Sequence, residues 1–192
     1  MKMNNKLILG VILAFTTAQL ALAAASPTAF ELAKKGNEYV GVQSKDKVLR
    51  IYSEKSESGL TPEDWHVVYY DPDTFVKSAD VEFANGQQTG VSHMRRPFQM
   101  PASARDILDM SKITVNSDKA LSIAQEQPAI KGITPKFSKM SLEYGDNGPT
   151  WQVELWAAKK DNPSKDVSIG KVWILATDGS VIKSDLRPDK VN

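Results

Sequence analysis

Two stretches of this 192-residue chain run through the same succession of signals, and that repetition limits the fold more than any single motif. The first begins with a helix signal at 28–36, where Thr28 and Glu31 have capping-box spacing and Gly36 is a natural stop. The second begins with Asn116-Ser117-Asp118 as a cap region, a helix over 119–127 and then Pro128. Alternating segments follow each helix: 48–52, 65–70 and 75–83 in the first, 140–144, 151–156 and 171–175 in the second. Period-two alternation predicts strands, with Met140, Leu142 and Tyr144 on one face and Trp151, Val153 and Leu155 on one face of the next. Asn85-Gly86 and Asp178-Gly179 then supply turn pairs, each leading into a further strand, 89–93 and 181–185.

Trp65 and Trp151 are 86 residues apart, whereas Gly86 and Gly179 are 93 apart, so seven extra residues fall between tryptophan and turn in the second stretch. The stretch 157–168 is the expected longer loop, set against the short Asp71-Pro72-Asp73-Thr74. The prolines of Arg95-Arg96-Pro97-Phe98-Gln99-Met100-Pro101 favour extended backbone and mark the joint. A short helix over 102–110, capped by Ser103, and a short strand over 112–115 complete the bridge. The expected organisation is a leader at 1–23, a first repeat at 24–95, a linker at 96–115 and a second repeat at 116–192. The expected fold class is α+β: two tandem modules, each a helix on its own small antiparallel sheet.

The leader reading comes from Lys2 and Lys6, the apolar run from Leu7 to Phe15 and the small residues Ala21 to Ala25. A positive start, an apolar centre and an A-x-A site make a secretory signal, with cleavage after Ala23 or Ala25. Thr16, Thr17 and Gln19 interrupt a span that would need about 20 apolar residues to remain as an anchor. Export to the periplasm or the exterior is the expected location. Without Lys2 and Lys6 the 24 basic and 23 acidic residues leave a net charge near −1, and no basic field for a phosphate backbone.

Chemistry is scarce. The chain has no cysteine, which removes disulfides, thiolate metal sites and cysteine nucleophiles. Its two histidines, His66 and His93, fall on separate strands and read as structural or surface groups. No H-E-x-x-H, G-x-S-x-G or phosphate-binding loop is present. No catalytic residue, metal or cofactor is assigned. Asp71 and Asp73 read as turn-forming, and Asp161 and Asp166 lie in the expected loop.

The aromatic residues are the better clue. With Trp151, Val153 and Leu155 facing the helix, Trp156 points away, and the strand around Trp173 is apolar on both faces. Trp156 and Trp173 either pack against the first repeat as core or form an exposed anchor for a partner protein, with Tyr69 and Tyr70 as counterparts.

Residues 120–185 resemble a PepSY domain. The resemblance is carried by the helix with Pro128 and Lys131-Gly132-Ile133-Thr134, the strand 140–144, Pro149-Thr150-Trp151-Gln152-Val153-Glu154-Leu155, and Lys171-Val172-Trp173-Ile174-Leu175-Ala176-Thr177-Asp178-Gly179-Ser180-Val181-Ile182. The first half matches more loosely, lacking the proline after its helix. The resemblance implies a cystatin-like helix on a curved sheet and a role in binding or restraining a peptidase. The plan is also similar to secreted β-lactamase-inhibitor proteins. Three functions stand side by side: a non-enzymatic binding module, a small-ligand carrier or weak hydrolase using the helix–sheet concavity, and a structural envelope component.

Overall fold

Thr28 opens the first helix as its sequence requires. Its backbone N–H and its hydroxyl both donate to the Glu31 carboxylate, at 2.7 and 2.8 Å, and α1 runs over Ala29–Gly36. Asn116 opens the second, its Oδ1 accepting from the Ser117 N–H at 2.8 Å, and α2 runs over Ser117–Gln125. The computed structural model describes residues 26–93 and 102–192. The expected leader lies outside them, as do Arg95, Arg96, Pro97 and Pro101. Among the described residues no helix is long and apolar enough to cross a membrane.

Among the described residues eight strands follow the alternation: β1 (Val48–Ser53), β2 (Asp64–Tyr70), β3 (Ser78–Ala84), β4 (Gln87–Ser92), β5 (Phe137–Gly145), β6 (Gly148–Ala158), β7 (Asp166–Leu175) and β8 (Val181–Leu186). They do not form two sheets. All pair antiparallel in one sheet of order β4-β3-β2-β1-β5-β6-β7-β8, which overturns the expected pair of separate modules. Alternation tells which face a side chain occupies and is silent about the neighbouring strand. Each meander leaves its first strand with one free flank, and β1 and β5 satisfy each other through Arg50↔Glu143, Ile51↔Leu142 and Tyr52↔Ser141.

One row shows the outcome. Val91, Val81, Val67, Ile51, Leu142, Trp151, Ile174 and Val181 stand opposite one another across all eight strands. The six on inner strands are fully buried beneath the helices, and full burial of such a side chain is worth roughly 1.5–3 kcal/mol. Met140 is buried with them, but Tyr144, expected on the same covered face, is half exposed near the end of the β5–β6 hairpin. Buried residues from both halves form one core cluster.

The described part of the expected linker belongs to that core. Leu108, Ile113 and Val115 are buried, and the Leu108 N–H donates to the Val48 carbonyl. The expected helix over 102–110 is a single 3-10 turn, Ala104–Asp106, capped by Ser103 as anticipated. The expected strand at 112–115 is irregular, because the Thr114 and Val115 N–H groups both donate to the Ala176 carbonyl.

The expected longer loop, 157–168, is strand at both ends and irregular only over 159–165. The connections 71–77 and 159–165 are equal in length; of the seven extra residues two lengthen β6 beyond Trp151, three lengthen β7 and two fall between β7 and Gly179. Asn85 and Gly86, at φ 48° and 75°, make the two-residue hairpin expected of them, whereas Asp178-Gly179 sits within the longer connection 176–180.

The helices meet end to end. The Ala29 N–H donates to Ser117 Oγ at 3.0 Å in a buried contact, and the Phe30 N–H donates to Asn116 Oδ1 at 3.2 Å. The cap residues of α2 therefore satisfy first-turn donors of α1. Replacing Ser117 by alanine strands the buried Ala29 N–H, and a loss of about 1–3 kcal/mol is expected in urea unfolding. An unchanged midpoint would remove this role.

Candidate functional site

Both helices cover one face of the sheet, and the residues between the buried rows stand on the other. Gly90, Glu82, His66, Tyr52, Ser141, Gln152, Trp173 and Lys183 form the next row across all eight strands. One residue along each strand thus exchanges an apolar row for a polar and aromatic one. A second open-face row alternates in sign: Lys139, Glu154, Lys171 and Asp185 stand in register. Glu54 precedes them, its carboxylate 3.2 Å from Lys139 Nζ, and Lys171 Nζ lies 3.5 Å from Glu154.

A connected polar chain crosses the middle of this face. His66 Nδ1 lies 3.2 and 3.3 Å from the two Asp80 oxygens, and the Tyr52 hydroxyl donates to Asp80 Oδ2 at 3.1 Å. The His66 and Tyr52 rings stack at 4.5 Å, tilted by only 3°. The Arg50 guanidinium lies 4.8 Å from the centre of the Tyr52 ring and pairs with Glu143 at 3.3 Å. Gln152 Nε2 then donates to Glu143 at 3.1 Å. Tyr52 is buried although no helix covers it, because Arg50 and His66 flank its ring.

The hydrogen bond to Asp80 raises the His66 pKa above its ordinary value. Partial burial opposes the shift, and the negative charges of Asp80, Glu82 and Glu54 add to it. The charged imidazolium is therefore favoured in the fold. Its contribution to stability is fully present below the unfolded value, about pH 6.5, and fades as pH rises through the folded value.

The structure places the four sequence-proposed binding residues unequally. Trp156 and Trp173 lie on the open face, partly exposed. Lys55 Nζ approaches the Trp156 ring at 5.4 Å and the Phe137 ring at 4.5 Å, while Lys183 Nζ lies 4.8 Å from Trp173. Tyr70 shares the open face, partly exposed. Tyr69 does not: it is fully buried, its hydroxyl donates to the Ala33 carbonyl of α1, and burial pushes its pKa up. The alternation of β2 puts Tyr69 with Trp65 and Val67, so the adjacent tyrosines cannot share a surface. His93 is half exposed, 3.7 Å from Asp71.

Among the described residues, hollows that could receive a small molecule lie on both faces of the sheet. On the open face a shallow depression of about 120 Å³ is bordered by Arg50, Tyr52, Lys139, Gln152 and Lys171. On the helix side an apolar hollow of about 200 Å³ lies between the helix N-termini, lined by Trp65, Leu121 and Met140 with Thr61 and Asp118 among its polar groups. Among the described residues no group of three or more histidines and carboxylates is placed to hold a metal ion.

Sequence reasoning missed Arg50, Tyr52, Asp80, Glu143 and Gln152. Alternation assigns each of them to the open face, but what joins them is the β1–β5 register between distant segments. Comparison with protein-family models, with curated proteins and with solved structures finds no match for this chain.

Proposed function

We propose that this is an exported, non-enzymatic binding module whose open sheet face holds a protein partner. The observation that carries the reading is an eight-strand face left uncovered by either helix, with Trp156, Trp173 and Tyr70 partly exposed among charged residues of both signs. At about 4.8 Å per strand such a face is roughly 34 Å across. That width suits the ~800 Å² per partner of a stable protein interface. The depression on this face is smaller than the ~300 Å³ or more that usually encloses a small ligand. Aromatic anchors bordered by charges are what a protein partner uses, the rings supplying contact area and the charges fixing orientation. The PepSY-like residues of 120–185 make a secreted or periplasmic peptidase the partner to test first. The carrier alternative rests on the apolar hollow beside Trp65.

The test is capture from an envelope extract, identification of the retained protein, and titration of that protein in purified form against Trp156→Ala and Trp173→Ala. Because both rings are partly exposed, both variants should fold, with stability within about 1 kcal/mol of the parent. Affinity should fall by roughly 30-fold or more, the ~2 kcal/mol of an interface hot spot. Unchanged affinity in both folded variants removes the open face as the docking surface.

A further inference from the structure

We propose that His66 is a proton sensor for the open face, and that its protonation is relayed through Asp80, Tyr52, Arg50 and Glu143 to Gln152, across the five strands from β3 to β6. The proposal concerns regulation of the same surface and rests, for its consequence on binding, on the docking role given above.

The geometry supplies each link. A carboxylate only accepts hydrogen bonds, so Asp80 holds a proton on His66 Nδ1 and leaves Nε2 of the neutral ring as a bare acceptor. Protonation turns Nε2 into a donor and places a cation parallel to the Tyr52 ring, with centroids 4.5 Å apart. That ring already holds the Arg50 guanidinium at 4.8 Å. Two cations now share one aromatic ring, and the second weakens the hold of the first. Arg50 has a waiting partner in Glu143 at 3.3 Å, which also accepts from Gln152 at 3.1 Å. A proton gained at His66 therefore moves Arg50 from the ring toward Glu143 and alters the hydrogen bond of Gln152.

The surrounding charges agree with a group that titrates rather than one locked in a single state. From β3, Asp80 and Glu82 face it; from β1 and the residue after it, Arg50, Tyr52 and Glu54; Asp64 lies on β2 itself. On β4 the position opposite Glu82 is Gly90, which brings no charge. Beyond β1, β5 contributes Glu143 and Lys139. The direction of the His66 shift, upward, brings the transition closer to neutral pH.

The experiment is an NMR titration of the protein from pH 5 to 9, following the His66 ring, the Arg50 Nε–H and the Gln152 side-chain amide, in a His93→Gln background so that one histidine titrates. The expected result is one shared midpoint, above 6.5, for all three signals. In Tyr52→Leu the His66 ring should still titrate while the Arg50 and Gln152 shifts are lost, and in His66→Gln the whole transition should vanish. Arg50 and Gln152 signals that stay fixed while His66 titrates overturn the relay. So does a Gln152 shift that survives in His66→Gln. Both readouts come from the free protein, so a failure of the relay is distinct from a failure of the docking role, which the tryptophan variants report.

Discussion

Replacing Gly170 by alanine is expected to cost about 3 kcal/mol or more and to loosen the last strand of the sheet. Gly170 has φ 114°, a backbone conformation that L residues rarely adopt. A Cβ placed there would lie 2.0 Å from the Asp185 carbonyl oxygen and 3.0 Å from the Leu186 Cα, both backbone atoms that cannot turn aside. The position is also where the β6–β7 register shifts: Leu155 faces Gly170, Trp156 faces Ser168, and Ile169 is the extra residue. Glycine in a strand interior commonly marks such a bulge. Relieving the clash would push β8 away from β7 and strain the Arg187 N–H bond to the Ile169 carbonyl, with the buried Val191 beyond it. Gly41 is the control, since no atom lies within 4 Å of a Cβ built there. Its alanine variant should unfold within about 0.5 kcal/mol of the parent. Urea midpoints of the two variants decide the matter, and a Gly170→Ala protein as stable as Gly41→Ala would show that the bulge can be remade without glycine.

Trp151→Ala should be the other severe change, at about 3–5 kcal/mol. The side chain is fully buried in the central apolar row, and its indole N–H donates to the Val115 carbonyl at 2.8 Å. It thus ties the sheet to the segment that crosses between the two halves. Trp151→Phe separates the two contributions: it keeps most of the packing but leaves that carbonyl without the indole donor, and should lose about 1–3 kcal/mol. Far-UV circular dichroism in urea is the suitable readout, because the substitution removes a fluorophore. If the phenylalanine variant matched the parent, the hydrogen bond would carry no net stability.

The sequence is informative where the chemistry is local and silent where it joins distant segments. Helix starts are written in the cap residues Thr28 and Asn116, but α2 runs over Ser117–Gln125, two residues ahead of the expected 119–127 at both ends. The burial of Trp151, Val153 and Leu155 follows from alternation. The same alternation separates Tyr69 from Tyr70, which stand on opposite faces of β2. The continuous sheet was not readable in this way. Arg50 and Glu143 are an ordinary exposed base and an ordinary acid until β1 and β5 lie side by side, and nothing local specifies that neighbour. The seven extra residues are visible as a number, but one long loop, or two longer strands with a longer turn, produce the same spacing.

The seam between β1 and β5 also orders events in time. β4 ends at Ser92 and β5 begins at Phe137, so a chain emerging from its N-terminus completes the first meander before the strand that must lie against β1 exists. During that interval Val48–Ser53 carries an unpaired flank, rich in β-branched and aromatic residues, in what will become the middle of the molecule. Such a flank is a template for strands of other nascent copies, and closing it requires a contact across a long stretch of chain, which slows folding. A truncated product ending before residue 137 would keep that flank permanently and should self-associate, whereas the complete chain conceals it between two neighbours of its own.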